Sequence, residues 1–145
     1  MAVFTGGQLH AAKLAKNPVA GTGGRAWLGM LTAIEAVGFP FSEYDTVAVE
    51  TMQIDSRPVP PADLLELNGV AGAVLGAIVY ASPNVRRARG YTPKQWKGTI
   101  DKETHHRRAL KLLTPAERRT LGAGAKQKDI MDAVALGLYE LGRMK

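Results

Sequence analysis

No cysteine occurs among the 145 residues. Disulfides and Cys-based zinc sites are therefore excluded, and thiol content says nothing about the compartment. Long apolar runs are also missing. The longest weakly polar stretch, Val70 to Ala81, is too short to span a bilayer. The opening MAVFTGGQLHAAKLAKNP lacks the continuous apolar segment of a signal peptide. These absences predict a cytoplasmic protein with no membrane partner. There is no internal repeat and no low-complexity tail, and no Asp or Glu precedes Glu35.

What remains is an ordinary globular composition, 46% apolar and 22% charged. The length is that of one domain with a single core. The charge is uneven in sign and in place. The net charge is +6 and the pI about 9.8, which points to a polyanionic partner such as nucleic acid. Between Arg86 and Arg119 stand eleven Lys or Arg and only three acids, Asp101, Glu103 and Glu117. A solvated basic face is the plainer reading of that stretch.

The last stretch, KQKDIMDAVALGLYELGR from Lys126 to Arg143, carries two carboxylates three residues apart at the start of an apolar helix. Asp129 and Asp132 share nearly one face. Ile130, Val134, Leu138 and Leu141 form an adjoining apolar stripe. Acids in a first turn also serve capping and the helix dipole with no further role. A second carboxylate context changes the balance: Thr46-Val47-Ala48-Val49-Glu50 reads as an apolar strand ending on an acid. Together the three acids are a candidate set of ligands for a divalent metal. A basic lobe beside such a set is the layout of a metal-dependent nuclease.

Along the chain, Ala2-Val3-Phe4 and Leu9 to Leu14 flank Thr5-Gly6-Gly7-Gln8, a hairpin signal. Asn17 to Gly24 reads as a loop. Arg25 to Val37 has Trp27, Leu28, Leu31 and Ile34 at helical spacing, ended by Gly38-Phe39-Pro40. Thr46 to Ile54 reads as a strand covered on both faces, and Asp55 to Pro61 as a rigid connector. Ala62 to Tyr80 reads as a long helix packed through Leu64, Leu65, Leu67, Val70, Val74, Leu75 and Ile78. Its small residues Gly69, Gly72, Ala73 and Gly76 predict a backbone in close approach, from this chain or from a second copy. Glu66 on that helix reads as surface. A short strand is expected near Val85 to Ala88, and a basic helix over Lys102 to Leu113. Thr114-Pro115-Ala116-Glu117 is a capping box with Pro at the first helical position. Gly122 to Ala125 reads as a flexible link into the final helix. The order predicts an α/β chain with helices packed on a small mixed sheet.

Four segments in this order carry a resemblance: VETMQ (Val49 to Gln53), LLELNGVAGAVLGA (Leu64 to Ala77), TPKQWKGTIDKETHHRRAL (Thr92 to Leu110) and KDIMDAVALGLYELGR (Lys128 to Arg143). Together the chain resembles the RuvC-type Holliday junction resolvases of the RNase H-like nuclease superfamily, with the closer likeness to their phage and prophage branch. The likeness runs from Ala2 to Arg143. It implies an RNase H-like mixed sheet flanked by helices. It also implies structure-selective hydrolysis of four-way or branched DNA, leaving a 5′-phosphate, and a homodimer, since a four-way junction offers two symmetric strands. The family places four carboxylates around two divalent metals. Glu50 matches the strand-end Glu, and Asp129 and Asp132 match the paired acids of the last helix. Two Mg²⁺ or Mn²⁺ ions suit such ligands, because hard cations prefer carboxylate oxygens, and a metal pair about 4 Å apart activates water and neutralises the leaving oxygen. The fourth acid, an Asp on a first strand in a segment like I-D-x-G-x-x-x-T-G, has no counterpart. Met1-Ala2-Val3-Phe4 resembles the start of the second strand, so an N-terminally short chain, truncated or naturally so, is expected.

For nucleic acid, Lys94, Lys97 and Lys102 are point charges suited to phosphate, with Arg89 in the same stretch. Trp96 and Tyr91 are candidates for stacking on exposed bases and equally for packing. His105 and His106 point about 100° apart on a helix and would not chelate one metal together. Each is a candidate general base, metal ligand or DNA contact; beside Arg107 and Arg108 they read as phosphate-facing, or as part of a solvated face. Lys126 and Lys128 are candidates to hold the scissile phosphate or to balance the two Asp. Two alternatives stand beside the nuclease: a non-catalytic relative that binds branched DNA, and a small basic RNA-associated protein whose acids only cap helices.

Overall fold

The computed structural model describes residues 1–16, 24–38, 45–51 and 61–145, with the backbone alone at 24–27, 61–64, 66 and 67. The expected loop over 17–23, the stop at Phe39-Pro40, the strand's continuation over 52–54 and most of the proline-rich connector lie outside the described residues. So do the side chains of Trp27, Leu64, Glu66 and Leu67. The described chain is mixed α/β, with six α-helices and four strands that pair two by two. It divides into two compact units, residues 1–14 with 94–145, and residues 15–93.

The first unit opens with the antiparallel pair β1 (Ala2–Thr5) and β2 (Gln8–Ala12). Gly6 and Gly7 both have positive φ, 58° and 78°. A two-residue turn with positive φ at both positions matches the twist of the flanking strands, and glycine adopts it without a Cβ penalty. The register shifts between Val3 and Phe4, so His10 is the extra residue of a β-bulge. Val3 and Leu9 are the buried side chains of this ribbon.

Helices complete the unit: α3 (Pro93–Trp96), α4 (Lys102–Leu112), α5 (Pro115–Leu121) and α6 (Lys128–Glu140). Asp101 caps α4 by accepting from the Thr104 N–H at 2.9 Å. The expected capping box opens α5, with both the Thr114 and the Glu117 hydrogen bond formed. Gly122–Lys126, expected to be a flexible link, is a turn of 3-10 helix. Gly124 lies against Ile130 and Leu121, which leaves this connection packed.

The core of the unit is the buried face of α6. Met131, Val134, Ala135 and Leu138 are each at most 1% exposed. Each large apolar side chain buried this fully contributes roughly 1.5–3 kcal/mol. The predicted stripe holds for Ile130, Val134 and Leu138 but ends one turn early: Leu141 is 43% exposed. The helix stops there in a Schellman motif. The Gly142 N–H donates to the Tyr139 carbonyl at 2.9 Å and the Arg143 N–H to the Leu138 carbonyl at 2.9 Å, with Gly142 at φ 68°. At Gly137, α6 meets β1, and a Cβ there would collide with the Phe4 ring.

The turn after α6 brings Arg143 to Glu117, a carboxylate that is 2% exposed. Arg143 donates to Glu117 Oε1 at 2.6 Å and Oε2 at 3.0 Å. The Leu9 and Thr114 N–H groups donate to the same two oxygens at 2.7 Å each. Arg143 also donates to the carbonyls of Gly7 at 2.7 Å and Leu112 at 2.8 Å. One ion pair thus joins the hairpin, the end of α4, the start of α5 and the C-terminal turn. The Arg143 hydrogen bonds are the main reason Glu117 is held far below the usual carboxylate range. Its two backbone donors add to this, against a burial effect of opposite sign.

The second unit contains α1 (Gly24–Ala36), β3 (Thr46–Glu50), α2 (Pro61–Ala81) and β4 (Arg87–Tyr91). β3 and β4 pair in parallel, Thr46 against Arg87 through Glu50 against Tyr91, with α2 as their crossover. The strand expected at Val85 to Ala88 lies further along, because the Arg86 and Arg87 N–H groups first bond the Asp45 carbonyl. Gly90 is a packing requirement: a Cβ there would lie 2.8 Å from the Thr51 methyl carbon.

One expectation is corrected in this unit, and the row of small residues on α2 is left open to a second copy. All five residues of β3 are half-buried, with β4 their one strand partner among the described residues, so β3 is not covered on both faces. Gly72 and Gly76 are exposed and a Cβ at either would meet nothing within 4 Å. Among the described residues, no backbone approaches α2 at those two positions. Of the predicted packing residues, Ile78 is buried while Leu28 and Leu65 are 66% and 69% exposed.

Candidate functional site

The predicted acids fall in both units. Glu50 ends β3 in the second unit, half-buried and in register with Tyr91. It stands at the carboxyl end of a parallel strand, where α/β sheets place their ligands. Asp129 and Asp132 lie on the first turns of α6 in the first unit.

Asp129 is exposed, whereas Asp132 is half-buried and heavily engaged. The Lys102 ammonium stands 2.5 Å from Asp132 Oδ2, and His106 Nε2 stands 2.7 Å from Oδ1. Lys102 and His106 are four residues apart and so occupy one face of α4. That face is turned to α6. Burial alone would raise the Asp132 pKa. The hydrogen bonds and charges of Lys102 and His106 outweigh burial, and the carboxyl is held below the usual carboxylate value. Asp132 is therefore ionised at neutral pH, between two cationic or hydrogen-bonding groups.

The opposite face of α4 carries Arg107, Arg108 and Lys111, all exposed. Arg107 donates to Thr104 Oγ1 at 3.0 Å. Lys126 and Lys128 are exposed at the entrance to α6. Lys94 is exposed, and Lys97 lies 5.3 Å from the centre of the Trp96 ring, within cation–π reach. In the second unit Arg89 is exposed and donates to the Tyr91 hydroxyl at 3.2 Å.

Two predicted contact residues are corrected. Trp96 is 3% exposed and His105 2% exposed. Their rings meet edge to face, 5.0 Å between centroids and 80° between planes, a favoured aromatic geometry. So packed, neither ring is open to a base or a phosphate. Burial is the first cause that lowers the His105 pKa, with His106 and Lys97 acting in the same direction. The adjacent histidines thus have different surroundings. One is a neutral packing group and the other is the partner of Asp132.

The donor chemistry fits a hard divalent cation. Asp129 and Asp132 offer the carboxylate oxygens such an ion prefers, and Asp132 already holds the Lys102 ammonium. Among the described residues no group of three or more His, Asp or Glu is arranged as a metal shell, and no helix is long and apolar enough to cross a membrane. Sequence reasoning offers Lys102 as a phosphate contact and His106 as a phosphate contact or part of a solvated face, and misses their bond to Asp132. Their four-residue spacing was the available signal. Compared with known proteins, the chain matches no family model, no curated protein and no solved structure.

Proposed function

We propose that the chain is a metal-dependent, structure-selective endodeoxyribonuclease of RuvC type, with an RNase H-like fold, acting on four-way or branched DNA. The observation that carries this reading is the Lys102–Asp132–His106 constellation beside exposed Asp129, in a unit whose outer surface is rich in cations. An ionised carboxylate with a lysine and a histidine at hydrogen-bond distance is equipped to handle a cation, a phosphate and a proton in one place. Asp129 and Asp132 are the residues of the first unit that would hold Mg²⁺ or Mn²⁺. Glu50 is the acid that the resemblance adds. When bound, such ions supply an activated water and neutralise the leaving oxygen. The exposed Arg107, Arg108, Lys126 and Lys128 hold the phosphate backbone. A homodimer and a cytoplasmic setting belong to the same proposal.

The second reading, a branched-DNA-binding relative without catalysis, is favoured by one observation. Both oxygens of Asp132 are already engaged by Lys102 and His106. A four-way junction and a matched duplex, each incubated with the chain in Mg²⁺ and in Mn²⁺, separate the two. Paired nicks in the junction, lost in Glu50→Gln and Asp132→Asn, support the nuclease. Junction-selective binding at fixed salt without nicking supports the second reading. Fixed salt is needed because affinity for DNA falls steeply with ionic strength. Equal affinity for junction and duplex, with no cleavage of either, overturns both.

A further inference from the structure

Lys102 and His106 each have a second use if the chain binds both metal and DNA. Sequence alone makes both candidates for phosphate, and both are engaged by Asp132. Asp132 is only 22% exposed at its side chain and His106 13%. Asp132 and His106 are thus partly desolvated, and Lys102, 40% exposed at its side chain, closes the cluster from the solvent side. An ammonium 2.5 Å from Oδ2 occupies a position beside that oxygen which a metal ligated there would have to share. A second cation at Oδ2 would face the Lys102 charge in surroundings where charges are screened less than in water.

We infer that Lys102 and His106 exchange partners, holding Asp132 in the metal-free chain and passing to a DNA phosphate when Asp132 takes a divalent cation. The inference rests on the proposed nuclease reading and adds a coupling to it. Metal and DNA then assist one another through this cluster. Lys102 and His106, once released from Asp132, are cationic or hydrogen-bond donors suited to a phosphate oxygen. The reverse also follows: a phosphate that draws Lys102 and His106 away leaves Asp132 open to the metal. Thermodynamic reciprocity requires both directions to have the same size.

The spacing on α4 makes the exchange local. Lys102 and His106 sit one turn apart on the face toward α6. The core is held by neighbouring residues that take no part, namely His105 and Ala109 on α4 and Met131 and Leu138 on α6. Rotamer changes of two long or planar side chains therefore suffice, with no helix displaced. Arg107, Arg108 and Lys111 lie on the opposite face and have no carboxylate of α6 to release. They contribute affinity for DNA that does not depend on metal.

The test measures binding, not cleavage. Mn²⁺ affinity of the DNA-free chain is compared for the wild type, Lys102→Met, His106→Gln and the double variant. Junction affinity is measured by fluorescence anisotropy with and without Mn²⁺, using phosphorothioate linkages at the crossover to prevent cutting. The double variant should bind Mn²⁺ about five- to tenfold more tightly than the wild type, the lower part of the usual range of coupling. Mn²⁺ should raise wild-type junction affinity by a similar factor, and that gain should fall below about twofold in the double variant. Arg108→Ala should weaken junction binding equally with and without Mn²⁺. In the unmutated chain, Mg²⁺ should shift the ring resonances of His106 and leave those of His10 in place, which covers the case of an unstable variant. Equal Mn²⁺ affinity in all four chains, or an unmoved His106 signal under saturating Mg²⁺, overturns the exchange and leaves the metal reading standing. No metal binding in any chain overturns both.

Discussion

Arg143→Met removes the strongest partner of a buried carboxylate. Glu117 is 2% exposed and keeps only the Leu9 and Thr114 N–H donors once the guanidinium is gone. Breaking a buried pair from one side costs about 3–5 kcal/mol, because it leaves the other charge desolvated. Two backbone donors remain, so the lower end, about 3 kcal/mol, is expected here. For a chain of this size that is a fall in Tm of about 10 °C. The carbonyls of Gly7 and Leu112 lose a donor in the same change, so hairpin and C-terminal turn loosen together. The pH dependence has a definite sign. Glu117 titrates near 4.5 when unfolded and far lower when folded. Its contribution is complete above pH 4.5 and is lost as the pH falls below that value. In Arg143→Met the folded pKa moves back up, so the stability gap between variant and wild type narrows on acidification. Urea denaturation at pH 7 and at steps below pH 4.5 measures both. A double replacement, Glu117→Leu with Arg143→Met, recovers part of the loss but not all. It removes the buried charge yet leaves the Leu9 and Thr114 N–H groups without acceptors. A cost below about 1 kcal/mol at pH 7, the level of an exposed pair, or a gap that does not change with pH, would refute the argument.

Gly137→Ala sets a gain in helix propensity of about 1 kcal/mol against overpacking on the Phe4 ring, which costs about 1–3 kcal/mol. A net loss in urea denaturation is expected, and it should be relieved when Phe4→Leu makes room. Thr114→Ala breaks the capping box and should lower stability by about 1 kcal/mol, read from the same denaturation curves. Burial keeps the folded His105 pKa below its free value of 6.5. Its contribution to stability is therefore full above pH 6.5 and declines as the pH falls below it, in a chain where His105→Phe does not decline there. Trp96 fluorescence, isolated by Trp27→Phe, should resist acrylamide quenching equally with and without DNA; strong quenching of the free chain would contradict its burial against His105.

The chain's local signals were legible because they depend on neighbours in sequence. Gly6-Gly7 can adopt two successive positive φ values at little cost, and the hairpin lies where that pair predicts it. Thr114 and Glu117 close their capping box within four residues. The apolar period of α6 marked Ile130, Val134 and Leu138 as core. The element order follows from the same kind of evidence: each apolar period of 3.6 or 2 is decided by a single segment's need to bury one face. The acids Glu50, Asp129 and Asp132 could be named as candidates on the same basis, from their places at a strand end and a helix start.

Everything that depends on which segments meet was decided by the tertiary structure. Glu117 served the capping box on paper, but Arg143, 26 residues later, turns it into the ion pair joining four parts of the first unit. Asp132 lies 26 residues from His106 and 30 from Lys102, and the four-residue spacing that puts those two on one face does not say which carboxylate they meet. Trp96 and His105 looked like contacts because they stand among Lys and Arg, yet they are buried against each other. A basic sequence neighbourhood does not tell which way one ring points. Leu141 had the right period to be core, but the Schellman turn at Gly142 ends the helix before that face is covered. Propensity, capping and period act within a few residues along the chain. Burial and the pairing of charges are settled across space, where the cost of an unpaired buried group selects the partner.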